Sequence, residues 1–261
     1  MSKFIKYPIT LIVLALIASG YFFVFRDRAE MPIPQEGIIA IEEPEKVAIE
    51  ENGTEEPIVE KEVSAPDVLP DKVSIEVPFT AQAPFAEWDA YHQEACEEAS
   101  LIMLKYYFDG KKLTPEIAER EIQAMIAYQI KEYGDYRDSD AQDMVELFEG
   151  FYGKPEGGKN LEVIYDFSKE DLKKYLSKGQ PIIIPAAGRL LGNPYFTQPG
   201  PPYHALVLKG YDGNIIITND PGTRRGESYE YDINILYNAI HDFPGSLDRM
   251  EEGRKAMIVV E

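Results

Sequence analysis

The run His204-Ala205-Leu206-Val207-Leu208-Lys209-Gly210-Tyr211-Asp212-Gly213-Asn214-Ile215-Ile216-Ile217-Thr218-Asn219-Asp220-Pro221-Gly222 decides the fold. Two apolar, β-branched stretches, 203–211 and 214–219, flank Asp212-Gly213-Asn214, a strong turn signal, and so predict a β-hairpin. Folding back at that turn returns Asp220 to the neighbourhood of His204. An aspartate there can accept from the imidazole N–H, fix the tautomer and stabilise the imidazolium. Register sets a condition on this pairing. A two-residue loop at Asp212-Gly213 would put His204 and Asp220 on opposite faces of the sheet. A three-residue loop, or a bulge near Gly213, puts them on one face as diagonal neighbours.

Outward from the hairpin, strands are predicted at 161–165, 181–185 and 255–260, with a short helix over 168–178 stopped by Gly179. The preceding part reads as helical. From Cys96, apolar Ala99, Ile102, Met103 and Tyr106 recur at helical spacing. Thr114-Pro115-Glu116 is an N-cap followed by proline at the first helical position, opening a helix to about Glu132. Ser139-Asp140-Ala141-Gln142 reads as a capping box for a further helix ending near Gly150. Helices first and an antiparallel sheet afterwards give an α+β domain over residues 76–261.

Two segments precede that domain. Residues 7–25 carry no charge and are strongly apolar; as a helix they would span roughly 28 Å, close to a bilayer's hydrocarbon thickness. An uncleaved N-terminal membrane anchor over residues 1–28 is therefore expected. A cleaved signal ending at Ala18-Ser19-Gly20 is the competing reading, and it would leave the apolar Tyr21-Phe22-Phe23-Val24-Phe25 at the new terminus. Residues 29–75 are rich in Glu and Pro and read as an extended acidic linker. The expected arrangement is single-pass in the cell membrane with the C-terminal domain outside the cytoplasm. The formal net charge of −20 argues against nucleic-acid binding, which works by neutralising phosphates with Lys and Arg.

The only cysteine, Cys96, sits at a predicted helix N-terminus, where the dipole and unpaired N–H groups favour a thiolate. Its bland role is a small buried hydrophobe, and Glu97 and Glu98 oppose activation because neighbouring carboxylates raise a thiol pKa. Of the three histidines, His92 lies in the loop before Cys96, His241 precedes a surface-like Asp242-Phe243-Pro244, and His204 opens a buried strand. Cys96, His92, His204 and His241 lack the short paired spacing of a zinc site, so no metal or other cofactor is expected.

Three pieces together resemble the papain-fold cysteine peptidases related to bacteriocin-leader (double-glycine) processing peptidases. They are Val77-Pro78-Phe79-Thr80-Ala81-Gln82, then Cys96-Glu97-Glu98-Ala99-Ser100-Leu101-Ile102-Met103, then the His204 hairpin with Asn219-Asp220-Pro221. The resemblance implies a cysteine peptidase acting on peptides or proteins, with Cys96 as nucleophile, His204 as base and Asp220 as the orienting residue. It further implies Gln82 as the side-chain donor of the oxyanion hole, beside the Cys96 N–H, with Gln93 as the other candidate. Two features depart from the pattern: Glu97-Glu98 where many relatives have Gly-Pro, and a long gap between Gln82 and Cys96. The Glu pair leaves open an inactive papain-fold module that binds peptides or cell-envelope components, and the long gap is what makes Gln93 the runner-up for the oxyanion role. The segment from Arg189 to Phe196, running into Pro199–Pro202, is expected to wall the cleft.

Overall fold

The computed structural model describes residues 69–155 and 159–261. The expected anchor over 7–25 lies outside these residues; among the described residues no helix is long and apolar enough to cross a membrane.

The elements in chain order are β1 (Lys72–Ser74), α1 (Cys96–Phe108), α2 (Pro115–Glu132), α3 (Ala141–Tyr152), β2 (Leu161–Tyr165), α4 (Lys169–Ser177), β3 (Ile182–Ala187), β4 (Tyr203–Asp212), β5 (Ile215–Asn219), β6 (Tyr229–Asp232), α5 (Ile233–Ala239) and β7 (Ala256–Val260). All strand pairings are antiparallel, in the order β2-β7-β3-β4-β5-β6, with β1 also paired to β4. The α+β class expected from the sequence is what the chain adopts.

α1 packs on β4 and on α2. Its Leu101, Ile102, Met103 and Leu104 are all fully buried, as befits a helix enclosed on every side rather than one with a wet face. Each such side chain contributes about 1.5–3 kcal/mol on burial, which fixes the helix that carries Cys96. Thr114 caps α2 as expected, accepting from the Ile117 N–H. At α3 the cap is Asp140, which accepts from the Asp143 N–H at 2.8 Å. Ser139, the expected cap, instead gives its N–H to Glu97 Oε1.

The register of the hairpin meets the condition stated above, by a different device. The turn is two residues long, Gly213-Asn214, because Asp212 pairs with Ile215. A bulge between Leu208 and Gly210 then shifts the ladder, so that Val207 faces Asn219. One residue further on, Asp220 stands opposite Leu206 and diagonal to His204. Without the extra residue at Lys209, alternation would carry Asp220 to the other face. Gly210 at the bulge has no room for a side chain, since a Cβ would lie 2.2 Å from the Val73 carbonyl oxygen.

That contact comes from β1, which falls within the stretch read as linker. Lys72, Val73 and Ser74 pair with Asp212, Tyr211 and Gly210, and the Tyr211 hydroxyl donates to the Pro70 carbonyl at 2.8 Å. The ordered sheet therefore begins earlier than residue 76. A three-residue strand of Lys-Val-Ser is too short and too polar to stand out in an acidic stretch. β6 also went unpredicted, being short and lacking clear periodicity, whereas the stretch before His241 reads as helix-like and is α5.

Candidate active site

Cys96, His204, Gln82 and Gln93 all line one cleft of about 1080 Å³, between the N-terminus of α1 and the start of β4. Trp88, Tyr195, Phe196 and Pro201 contribute apolar wall, and Arg224, Arg225, Glu94 and Asp138 contribute charge. Of the segment expected to wall the cleft, Tyr195, Phe196, Thr197, Gly200, Pro201 and Pro202 line it, and Arg189 to Pro194 do not.

The imidazole is held from several sides. His204 Nε2 lies 2.8 Å from Asp220 Oδ1, and both residues are buried. The Phe196 ring meets it edge-on at 5.2 Å between centroids. Gly222 passes so close that a Cβ there would be 2.9 Å from His204 Cε1. With Nε2 engaged by the carboxylate, Nδ1 is the ring nitrogen left for proton transfer.

Asp220 accepts from three further donors: the Tyr231 hydroxyl at 2.6 Å, Asn193 Nδ2 at 3.1 Å and the Gly222 N–H at 2.9 Å. Burial alone would push its pKa up. The His204 charge and hydrogen bond, with those from Tyr231 and Gly222, outweigh burial and hold the carboxyl below its ordinary range. Tyr231 and Asn193 went unrecognised in the sequence as site residues; a tyrosine in a short strand and an asparagine in a loop carry no local signal of a shared partner.

The nucleophile end differs from expectation. Cys96 opens α1 and the Ala205 N–H favours its thiolate, but burial pushes the thiol well up. Glu97 adds to that with its charge and by accepting from Sγ–H, at 3.1 Å between Sγ and Oε2. In this arrangement Cys96 rests as a thiol, and the helix N-terminus does not prevail. Glu97 itself is pushed up to about 7 by burial, against the hydrogen bonds from Cys96 and the Ser139 N–H. Glu98 is also pushed well up, by burial and then by Glu97. Its Oε1 accepts from Gln129, while Oε2 is buried with no partner.

Gln82 reaches the cleft wall, but its amide is turned away from an oxyanion role. Nε2 donates to the carbonyls of His92 at 2.8 Å and Gln93 at 3.1 Å, which uses both amide hydrogens, and Oε1 is buried without a partner. Gln93 donates one amide hydrogen to the Trp88 carbonyl and has a second. His92 and His241 do not line the cleft. His92 is clamped between Asp89 and Glu119, at 2.8 and 3.0 Å, and His241 faces the Ala239 carbonyl. Among the described residues no group of His, Cys, Asp and Glu is arranged to hold a metal ion.

The model of the Peptidase_C39 like family matches residues 74–243, from the first ordered strand to just beyond α5. The chain belongs to this family of papain-fold, C39-like cysteine peptidases, as the resemblance read in the sequence implied. A crystal structure of a candidate C39-like peptidase from Bacillus anthracis is similar at 19% identity, covering 73% of this chain and 98% of that one, with a TM-score of 0.45. Comparison with curated proteins gives no match.

Proposed function

We propose that this member of the family is a cysteine peptidase hydrolysing peptide bonds with Cys96 as nucleophile, His204 as base and Asp220 as the residue that orients the imidazole. The observation that carries this reading is the fixed His204–Asp220 pair, 2.8 Å apart, with His204 lining the same cleft as Cys96. The proton leaves Sγ for His204 Nδ1, and the thiolate attacks the scissile carbonyl. The imidazolium, stabilised by the Asp220 carboxylate, then protonates the departing amine. The Cys96 N–H, in the unpaired first turn of α1, is one oxyanion donor. Gln93 supplies the side-chain donor more readily than Gln82, whose hydrogens are committed to backbone.

The domain acts, on this reading, outside the cytoplasmic membrane, tethered by a helix over 7–25 and spaced from it by the acidic segment that follows. The partners are a peptide or protein substrate and the membrane.

Turnover of a cleavable peptide tests the assignment. Cys96→Ala and His204→Ala should each abolish it with the fold intact, and Asp220→Asn should reduce it less completely. A Cys96→Ala variant that cleaves like the parent removes the peptidase reading. The buried, protonated thiol and the committed Gln82 amide favour a second reading, an inactive module of the same fold that binds peptides. Peptide binding with no turnover at any pH, and no alkylation of Cys96 by iodoacetamide, would establish it instead.

A further inference from the structure

The carboxyl group bonded to the nucleophile has no part in the chemistry above. Glu97 Oε2 accepts from Cys96 Sγ at 3.1 Å while Oε1 accepts from the Ser139 N–H at 3.1 Å. Glu97 lines the cleft yet is 2% exposed. An ionised carboxylate at this distance opposes a thiolate, because two like charges in a water-poor site cannot both be formed cheaply. A protonated carboxyl has the opposite effect, since it can donate its own hydrogen to the thiolate.

Resting on the peptidase reading, we infer that Glu97 is a further catalytic residue, a proton gate on Cys96: the thiolate–imidazolium pair forms only while the Glu97 carboxyl is protonated and donates to Sγ. The proton balance is simple. The Sγ proton moves to His204 Nδ1, and Glu97 keeps its own proton and turns it toward the sulfur. When Glu97 is ionised, the Sγ proton stays in the S–H···O bond and the nucleophile is silent.

The surroundings favour such a gate near neutrality. Asp138 in the loop before α3 is the acidic neighbour that disfavours an ionised Glu97; Glu97 in turn raises Glu98 on α1, and Glu94 before α1 acts on both Asp138 and Glu98. Tyr203 on β4 stands beside both Glu97 and Cys96, its hydroxyl held by the Ser139 carbonyl at 2.7 Å. His204 lies in the same cleft as the one base. Against burial stand the weakly donating thiol and the backbone N–H groups of Ser139 and of Glu97 itself. Burial therefore keeps the carboxyl titrating at about 7 rather than in the ordinary range.

The test follows alkylation of Cys96, the only cysteine in the chain, by iodoacetamide from about pH 5 to about pH 9 in the full protein. The expected profile for the parent falls as pH rises through about 7 and rises again only at the alkaline end. Glu97→Gln keeps an acceptor for the Ser139 N–H and offers an amide N–H to the sulfur at every pH. It should remove the fall and react at least about tenfold faster than the parent near pH 8, the equivalent of one pKa unit. A monotonic rise in the parent overturns the gate even if the variant does not fold, and superimposable parent and Glu97→Gln profiles overturn it too. In a peptide-cleavage assay the same variant should extend activity to higher pH. Alkylation needs no turnover, so it judges the Cys96–Glu97 pair separately from the peptidase assignment, which Cys96→Ala judges.

Discussion

Removing one hydroxyl, in Tyr231→Phe, probes how the base is held. The Tyr231 hydroxyl donates to Asp220 Oδ2 at 2.6 Å and accepts from Asn193 Nδ2 at 2.9 Å. Phenylalanine fills the same volume, so no cavity opens. What is lost is a hydrogen bond to a charged, fully buried acceptor, worth about 1.5–3 kcal/mol. Asn193 keeps Asp220 Oδ2 as the acceptor of one amide hydrogen at 3.1 Å and loses the acceptor of the other, which adds to the cost. For a domain of this size each kcal/mol shifts Tm by about 2–4 °C, so a fall of about 3–12 °C is expected at neutral pH.

The sign of its pH dependence follows from Asp220. Its folded-state pKa lies below the ordinary value, so its contribution is present above the unfolded-state pKa. That contribution is lost as pH falls through the lower, folded-state value. Tyr231→Phe weakens the ionised form, so the Tm gap between parent and variant should be full near pH 7 and should narrow as Asp220 is protonated in acid. Thermal unfolding followed by circular dichroism across that range measures both. A gap below about 1 °C at neutral pH, or one that widens on acidification, would refute the account of Asp220 as a carboxylate kept ionised by its donors.

Gly222→Ala places a methyl against Phe196 and His204, whose nearest atoms would lie at 2.8 and 2.9 Å; peptide turnover should fall by more than about tenfold while Tm changes little, the imidazole being displaced rather than the core. Glu98→Gln replaces a buried acid held neutral in the fold. The raised pKa of Glu98 means the parent loses stability as pH rises above the unfolded-state value, so the variant should gain Tm relative to the parent progressively as pH rises above that value. A chain starting at Leu69 should fold, whereas one starting at Val77 lacks β1 and the Pro70 carbonyl that Tyr211 binds, and should melt lower by several degrees.

Residues with a local pattern were legible in the sequence. The hairpin, the start of α1 and the Thr114 cap each depend on neighbours within a few positions, and the structure has them at or near the expected places. The pairing of His204 with Asp220 was legible as a condition on register. Its means, an extra residue at Lys209, was not, because a bulge inside an unbroken apolar run leaves no compositional trace. Gln82 shows the other limit. Its place beside the cleft came from the resemblance, but the direction of its amide depends on the carbonyls of His92 and Gln93, two groups of a loop whose shape no periodicity encodes.

The three buried carboxyls of the site show why charge could not be read from residue type. Asp220, Glu97 and Glu98 are all essentially buried, and burial pushes each of them up. Asp220 alone ends below its ordinary range, because the His204 charge and hydrogen bond act together with the hydrogen bonds from the remote Tyr231 hydroxyl and the Gly222 N–H. Glu97 has two backbone donors, Ser139 and its own N–H, and a weakly donating thiol, but no facing cation, and Glu98 has its own N–H and the Gln129 side chain, with an oxygen left over. The cationic partner and the donors around each group, rather than depth, therefore set the sign of each shift. The consequence is a site with two unlike ends. Behind the imidazole stands a permanent anion suited to an imidazolium, and beside the sulfur stands an acid that can change charge near neutrality. Environments that push like groups apart in this way assign them different roles. Here the assignment depends on segments some forty residues from the nucleophile (Ser139 to Glu97, a separation of 42) and 27 from the orienting carboxylate (Asn193 to Asp220).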